Sequence, residues 1–189
     1  METRDIVFIA LFAAITAALA VFPPITLPVV GVPITAQSLG AILAGGVLGA
    51  MRGGLSIVLF LLLVAVGLPL LPGGRGGVGV FLGPTGGYLF GWIATAIVVG
   101  FLVERFWHQL NYLNAFLASV AGGIVFLYAI GIPWSAAVAQ ISFAAAFIGS
   151  LPFIPGDIIK CLIAAVVIVI VKRSYPIITP YKRHAATIR

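Results

Sequence analysis

Asp157 and Lys160 sit inside Pro155-Gly156-Asp157-Ile158-Ile159-Lys160, at the head of the last long apolar run, residues 158–171. They are the only acid–base pair set close to an otherwise uncharged hydrophobic segment. At i and i+3 they share one face of a helix. A charge near membrane depth costs about 2.5–3.5 kcal/mol on insertion scales, so such residues usually mark a polar site inside a bundle. The pair offers one acceptor and one donor, which is the chemistry of a ligand site; the plainer alternative is an ion pair that only tethers helices. Pro155 suits a first helical turn, where its missing N–H costs nothing. Asp157 in that turn is favoured by the helix dipole.

Three further stretches carry polar or conformationally special groups. Gly83-Pro84-Thr85-Gly86-Gly87-Tyr88 opens an apolar helix, and Gly86 and Gly87 would let a ligand approach the backbone closely. Tyr88 adds an aromatic face and a hydroxyl, or else belongs to an interfacial belt. Pro72-Gly73-Gly74-Arg75-Gly76-Gly77-Val78-Gly79 has too many glycines for a helix; it reads as a cap over a pocket, with Arg75 in it, or as a plain connector. Gln37 either points into a cavity or serves in capping or interfacial solvation at a helix start, where Thr35 and Ser38 are candidate caps.

Other chemistries find no residues. No lysine completes a phosphate loop, and His108-Gln109-Leu110-Asn111-Tyr112 is not HExxH. An intramembrane aspartyl enzyme needs two facing carboxylates, and Asp157 is the only acid within the apolar runs. His108 has no second ligand nearby, and the single cysteine, Cys161, reads as small helix filler. We therefore expect no enzyme, no cofactor and no metal.

The elements that must position these groups follow from composition. The 189 residues are 62% hydrophobic and 7% charged, against about 25% charged in soluble domains, so this is a membrane protein. Its net charge of +6 is spread between apolar runs and a tail, not gathered into a nucleic-acid patch. The runs predict one all-α transmembrane domain over residues 1–189, with spans at about 6–22, 39–50, 55–71, 86–103, 113–130 and 156–171 and a basic tail at 172–189. Met51-Arg52-Gly53-Gly54 reads as the turn between the second and third spans, and residues 23–36 as a proline-rich loop. Residues 136–147 are too few to cross about 30 Å of hydrocarbon, so they are expected to form a short re-entrant or capping helix before the last span.

Six spans with the N-terminus inside place Arg4, Arg52, Arg105, Lys172, Arg173, Lys182, Arg183 and Arg189 in the cytoplasm and only Arg75 outside. Both termini are then cytoplasmic, and the Pro/Gly-rich stretches with Asp157 and Lys160 lie at the external end. In the first span Ala10, Ala14 and Ala18 form one row of small residues, and Ala13 and Ala17 another. Such rows admit close approach of a helix, either from a partner or from within the bundle.

With these residues in view, the chain resembles the BioY family, the biotin-specific substrate-binding (S) components of energy-coupling factor (ECF) transporters. The resemblance covers nearly the whole chain. It rests on Val32-Pro33-Ile34-Thr35-Ala36-Gln37-Ser38-Leu39-Gly40, Gly73-Gly74-Arg75-Gly76-Gly77, Gly83-Pro84-Thr85-Gly86-Gly87-Tyr88-Leu89-Phe90-Gly91 and the Pro155–Lys160 motif. It implies a six-helix S-component fold in a bacterial cytoplasmic membrane, with an external biotin pocket. The implied partners are a membrane coupling subunit of the EcfT or BioN type, docked on Ala10, Ala14 and Ala18, and ATPase subunits of the BioM or EcfA type. An S component for another vitamin and a self-contained uptake facilitator are the alternatives. The chemistry suits biotin: Asp157 accepts from the ureido N–H groups, and Lys160 donates to the ureido carbonyl or to the valerate carboxylate. Tyr88, Trp134 and Phe143 would line the apolar part. Gly86, Gly87, Gln37 and Arg75 complete the candidate set.

Overall fold

The computed structural model describes residues 2–26 and 33–178. Pro28, Val32 and the basic tail residues Lys182, Arg183 and Arg189 fall outside these described residues. In chain order the helices are α1 (Thr3–Ala18), α2 (Gln37–Leu48), α3 (Ala50–Ala65), α4 (Gly79–Leu82), α5 (Gly86–Arg105), α6 (Tyr112–Val120), α7 (Leu127–Ala139), α8 (Phe143–Ser150) and α9 (Ile154–Ser174). Two strands of two residues, β1 (Ile25–Thr26) and β2 (Pro33–Ile34), pair antiparallel between α1 and α2.

The protein is a multi-pass membrane protein. Among the described residues, four stretches are long and apolar enough to cross a bilayer: Thr3–Val21, Gly86–Arg105, Tyr112–Ala139 and Phe143–Ser174. The third joins α6 to α7 through a π-helical turn, Ala121–Phe126, and the fourth joins α8 to α9 through a 3-10 turn, Leu151–Phe153. Large apolar side chains stand outward on these helices, among them Phe101, Leu113, Ile159 and Leu162. In water such a surface would aggregate; in lipid it is the ordinary outer face of a helix whose backbone is satisfied internally. At 12 and 16 residues, α2 and α3 fall short of that length. They rise about 18 and 24 Å, less than about 30 Å of hydrocarbon.

The structure moves three expected boundaries. Gly49, with φ of 87°, separates α2 from α3, so Met51, Arg52, Gly53 and Gly54 lie inside α3 and not in the turn. A single glycine in a left-handed conformation reverses the chain where four residues were expected to do so. Next, α3 stops at Ala65, short of residue 71, and Gly67, with φ of 104°, follows its end. Finally, residues 136–147 are not one helix. Helix α7 runs on through Pro133 to Ala139 and ends at Gln140, which is left-handed at φ 53°. Ser142 then caps α8, its Oγ accepting from the Ala145 N–H at 3.2 Å. The short helix before the last span is therefore α8, shifted toward the C-terminus.

The centre of the fold is α2. Ten of its twelve residues are buried, so polar residues at its start are carried into the interior. It packs against α1, α3, α5 and α9. At one end of the bundle, Arg52 donates to Asp5 Oδ1 (3.0 Å) and to the Ile177 carbonyl (3.1 Å), while Arg4 stacks on Tyr175. Glu104 accepts from the Ala50 N–H there, 3.0 Å away. The start of α1 and the end of α9 thus share one end, and the segment carrying Arg75 lies at the other.

Candidate functional site

At that other end, Asp157 lies in the first turn of α9, which Pro155 opens as its sequence position suggests. Its Oδ1 accepts from Lys160 Nζ at 2.8 Å; the side chains are 8% and 13% exposed. Its Oδ2 accepts from the Tyr128 hydroxyl on α7. Lys160 Nζ also donates to Ser38 Oγ on α2, at 2.9 Å. The expected pair therefore forms, and it is part of a four-residue network over three helices. Ser38 is engaged here and does not cap α2, nor does Thr35; the position before the helix is Ala36 with no side-chain cap.

Gln37, the next residue along α2, is fully buried. Its Nε2 donates to the Thr16 carbonyl of α1 and to the Leu70 carbonyl, each at 2.9 Å. Beside it lies a small cavity of about 40 Å³. Thr35 and Gln37 form one wall; Leu71, Pro72 and Arg75 lie over it; Thr85, Tyr88, Leu89 and Trp92 on and before α5 form the other. The Pro72–Gly79 stretch does cover a cavity. It is shaped by paired N–H to carbonyl bonds between Leu71 and Arg75, and by Arg75 Nε donating to the Pro72 carbonyl at 3.2 Å.

Tyr88 is buried, not part of an interfacial belt, and its hydroxyl shares a 3.1 Å hydrogen bond with Ser150. Its ring meets that of Tyr128 edge-on, with centroids 6.2 Å apart. Through this contact the cavity wall touches the Asp157 network. Gly86 and Gly87 face Trp134 of α7, and Trp134 Nε1 donates to the Gly83 carbonyl at 3.0 Å. The two glycines thus receive an indole of this chain.

The candidate residues separate into layers. Gln37, Arg75 and Tyr88 line the cavity. Asp157 and Lys160 lie next to it, joined through Ser38 and Tyr128. Trp134 packs on the glycines behind Tyr88. Phe143, at the start of α8, is 59% exposed and does not line this cavity. Sequence reasoning missed Tyr128, Ser150, Thr85 and Trp92. Trp92 was legible, since it stands one turn beyond Tyr88 on the same face. Tyr128 carried no local signal beyond a hydroxyl in an apolar run.

The alanine rows of α1 also separate. Ala10, Ala14 and Ala18 are exposed, whereas Ala13 is buried and Ala17 half-buried. The inward face of α1 is Ile9, Phe12, Ala13 and Thr16.

Comparison with known proteins gives concordant matches. The profile of the BioY family matches residues 1–177. The biotin transporter BioY of Rhizobium etli is 51% identical over 183 residues, covering 94% of this chain and 98% of that protein. The Rhodobacter capsulatus biotin transporter BioY is 46% identical over 173 residues, 87% and 90% of the two chains. Among solved structures, the S-component for biotin from an ECF-type ABC transporter superposes with a TM-score of 0.88 at 31% identity. It covers 94% of this chain and 97% of that one.

Proposed function

The chain belongs to the BioY family, and on that footing we propose that it captures biotin and delivers it across the membrane as the substrate-specific subunit of an ECF-type transporter. The observation that carries this reading is the near full-length likeness, TM-score 0.88, to an S component for biotin. The site chemistry supports it. Asp157 has further lone pairs for a ureido N–H, and Lys160 has a third proton for a ureido or carboxylate oxygen. Arg75 in the covering segment is a second cation for the carboxylate. Tyr88 and Trp92 supply apolar faces for the thiophane ring and chain. A volume of about 40 Å³ holds only a few waters. Biotin entry therefore requires the segment over the cavity to swing outward.

In this reading the bundle has six spans, with α2 and α3 as short ones held by burial instead of length. Both termini are cytoplasmic in a bacterial cytoplasmic membrane, which puts Arg75 and the cavity outside. The exposed Ala10, Ala14 and Ala18 row docks a coupling subunit of the EcfT or BioN type, which carries ATPases of the BioM or EcfA type.

The test is equilibrium binding of radiolabelled biotin to the purified, detergent-solubilised protein. Saturable binding near one per chain, competed by unlabelled biotin and not by other vitamins, is expected. Saturation by a different vitamin would assign the pocket to that ligand instead, and no binding by a monodisperse sample would overturn the reading.

A further inference from the structure

The carboxamide of Gln37 is oriented by chemistry. Both its N–H donors are taken by backbone carbonyls, Thr16 on α1 and Leu70 in the chain leading to the covering segment, each at 2.9 Å. Carbonyls accept and do not donate, so the amide nitrogen must face them and the oxygen must face away. That oxygen, Oε1, is buried and has no hydrogen-bond partner among the described residues. Gln37 itself is 0% exposed and lines the cavity beside Tyr88 and Arg75. A buried carbonyl oxygen without a donor costs about as much as a lost hydrogen bond. Meanwhile both oxygens of Asp157 already accept from Tyr128 and Lys160. Asp157 keeps spare lone pairs, but among the buried side-chain acceptors lining the cavity it is Gln37 Oε1 that has no partner at all among the described residues.

We propose that Gln37 Oε1 accepts one ring N–H of the bound ligand, and that Gln37 thereby fastens the occupied cavity to α1 and to the covering segment. This rests on the biotin reading above and adds to it a residue that couples occupancy to helix position. The same side chain touches three elements, so filling its one open valence stiffens all three together. On α1 the anchored carbonyl, Thr16, lies on the inward face, two residues from the exposed Ala14 and Ala18. Ligand occupancy then reaches the outward alanine row through one hydrogen bond and half a helical turn.

The experiment compares biotin with two derivatives, each methylated on one ring nitrogen, in wild type and in Gln37→Leu. In wild type one derivative should bind at least about tenfold more weakly than biotin, the effect of losing one buried hydrogen bond. In Gln37→Leu that same derivative should bind within about threefold of biotin. Biotin should also slow amide exchange in the last turn of α1 and around Leu70 in wild type, and not in the variant. The inference is overturned if both derivatives bind wild type within about threefold of biotin, if the methyl penalty persists unchanged in Gln37→Leu, or if biotin leaves exchange at α1 unaltered. Gln37→Met replaces Gln37→Leu if the latter is not monodisperse, and the wild-type arm decides against the idea without either. Absence of any biotin binding by wild type would instead remove the biotin reading itself, and this inference with it.

Discussion

Gly87 and Trp134 occupy one another's space: a Cβ added at Gly87 would lie 2.6 Å from Trp134 Cγ, inside any permitted contact. The indole is pinned by its bond to the Gly83 carbonyl and cannot simply rotate away. Gly87→Ala should therefore destabilise the protein by about 1–3 kcal/mol, as overpacked cores do. Trp134 Cβ is the nearest atom of all, so only Trp134→Gly opens the space, and Gly87→Ala made on that background should cost little. A thermal melt of the four proteins in detergent measures the coupling. Additive losses would mean that Gly87 is required for a reason other than the Trp134 side chain.

This pair shows where sequence reading succeeds and where it stops. Two glycines at the head of an apolar helix signal a close approach, and that was legible. What approaches was not, because Trp134 lies 47 positions away and no local rule pairs the two. Asp157 and Lys160 were legible for the opposite reason. Their contact is made within one helical turn, so spacing alone predicts it. Tyr128 and Ser38, which complete the network, come from α7 and α2 and required the tertiary fold. Helix ends failed where one residue's backbone decided them. Gly49 and Gln140 break the chain by adopting positive φ, and neither stands in a conspicuous turn sequence. Helices α5 and α9 were placed to within a few residues, since an uninterrupted apolar run is a strong signal.

The orientation can be measured directly. Five basic residues, Arg4, Arg52, Arg105, Lys172 and Arg173, belong to the end of the bundle where α1 begins and α9 ends, and Arg75 belongs to the other. Basic residues are retained on the cytoplasmic side. Reporter fusions after Arg52 and after Arg189 should read inside, and a fusion after Gly74 outside. An external C-terminus would invert the reading and place the cavity on the cytoplasmic face.

Partner docking makes a separate prediction for α1. The exposed row Ala10, Ala14 and Ala18 permits close approach of another helix, and a bulky side chain there forbids it. Ala14→Trp should reduce co-purification with the coupling subunit while biotin binding stays within about threefold of wild type, a shift of only about 0.7 kcal/mol. Ala13→Trp is the contrast, since Ala13 is 3% exposed and packs inward. It should damage folding itself. If Ala14→Trp loses ligand binding and partner together, the outward row supports the bundle and does not dock.

The buried ion pair gives the sharpest test of the site. Lys160 has two partners, Asp157 and Ser38, and Asp157 has two, Lys160 and Tyr128. Removing one charge strands the other in a poorly solvated place, which typically costs about 2–5 kcal/mol. Expressed as affinity, that is about 30-fold to several-thousand-fold. Asp157→Asn keeps the shape and one acceptor oxygen but discards the charge. Its amide nitrogen would also face a donor, either Tyr128 or Lys160. Lys160→Ala leaves Asp157 with only the tyrosine hydroxyl and frees Ser38. Tyr128→Phe removes a neutral partner and keeps both charges, so it should cost less, about 1–3 kcal/mol. Biotin affinity and detergent melting temperature should be read for all three and for the Asp157→Asn, Lys160→Ala double variant. Direct ligand contact predicts that each charge variant loses binding and that the double variant recovers stability but not affinity. Recovery of both in the double variant would show that the pair only holds α2, α7 and α9 in register.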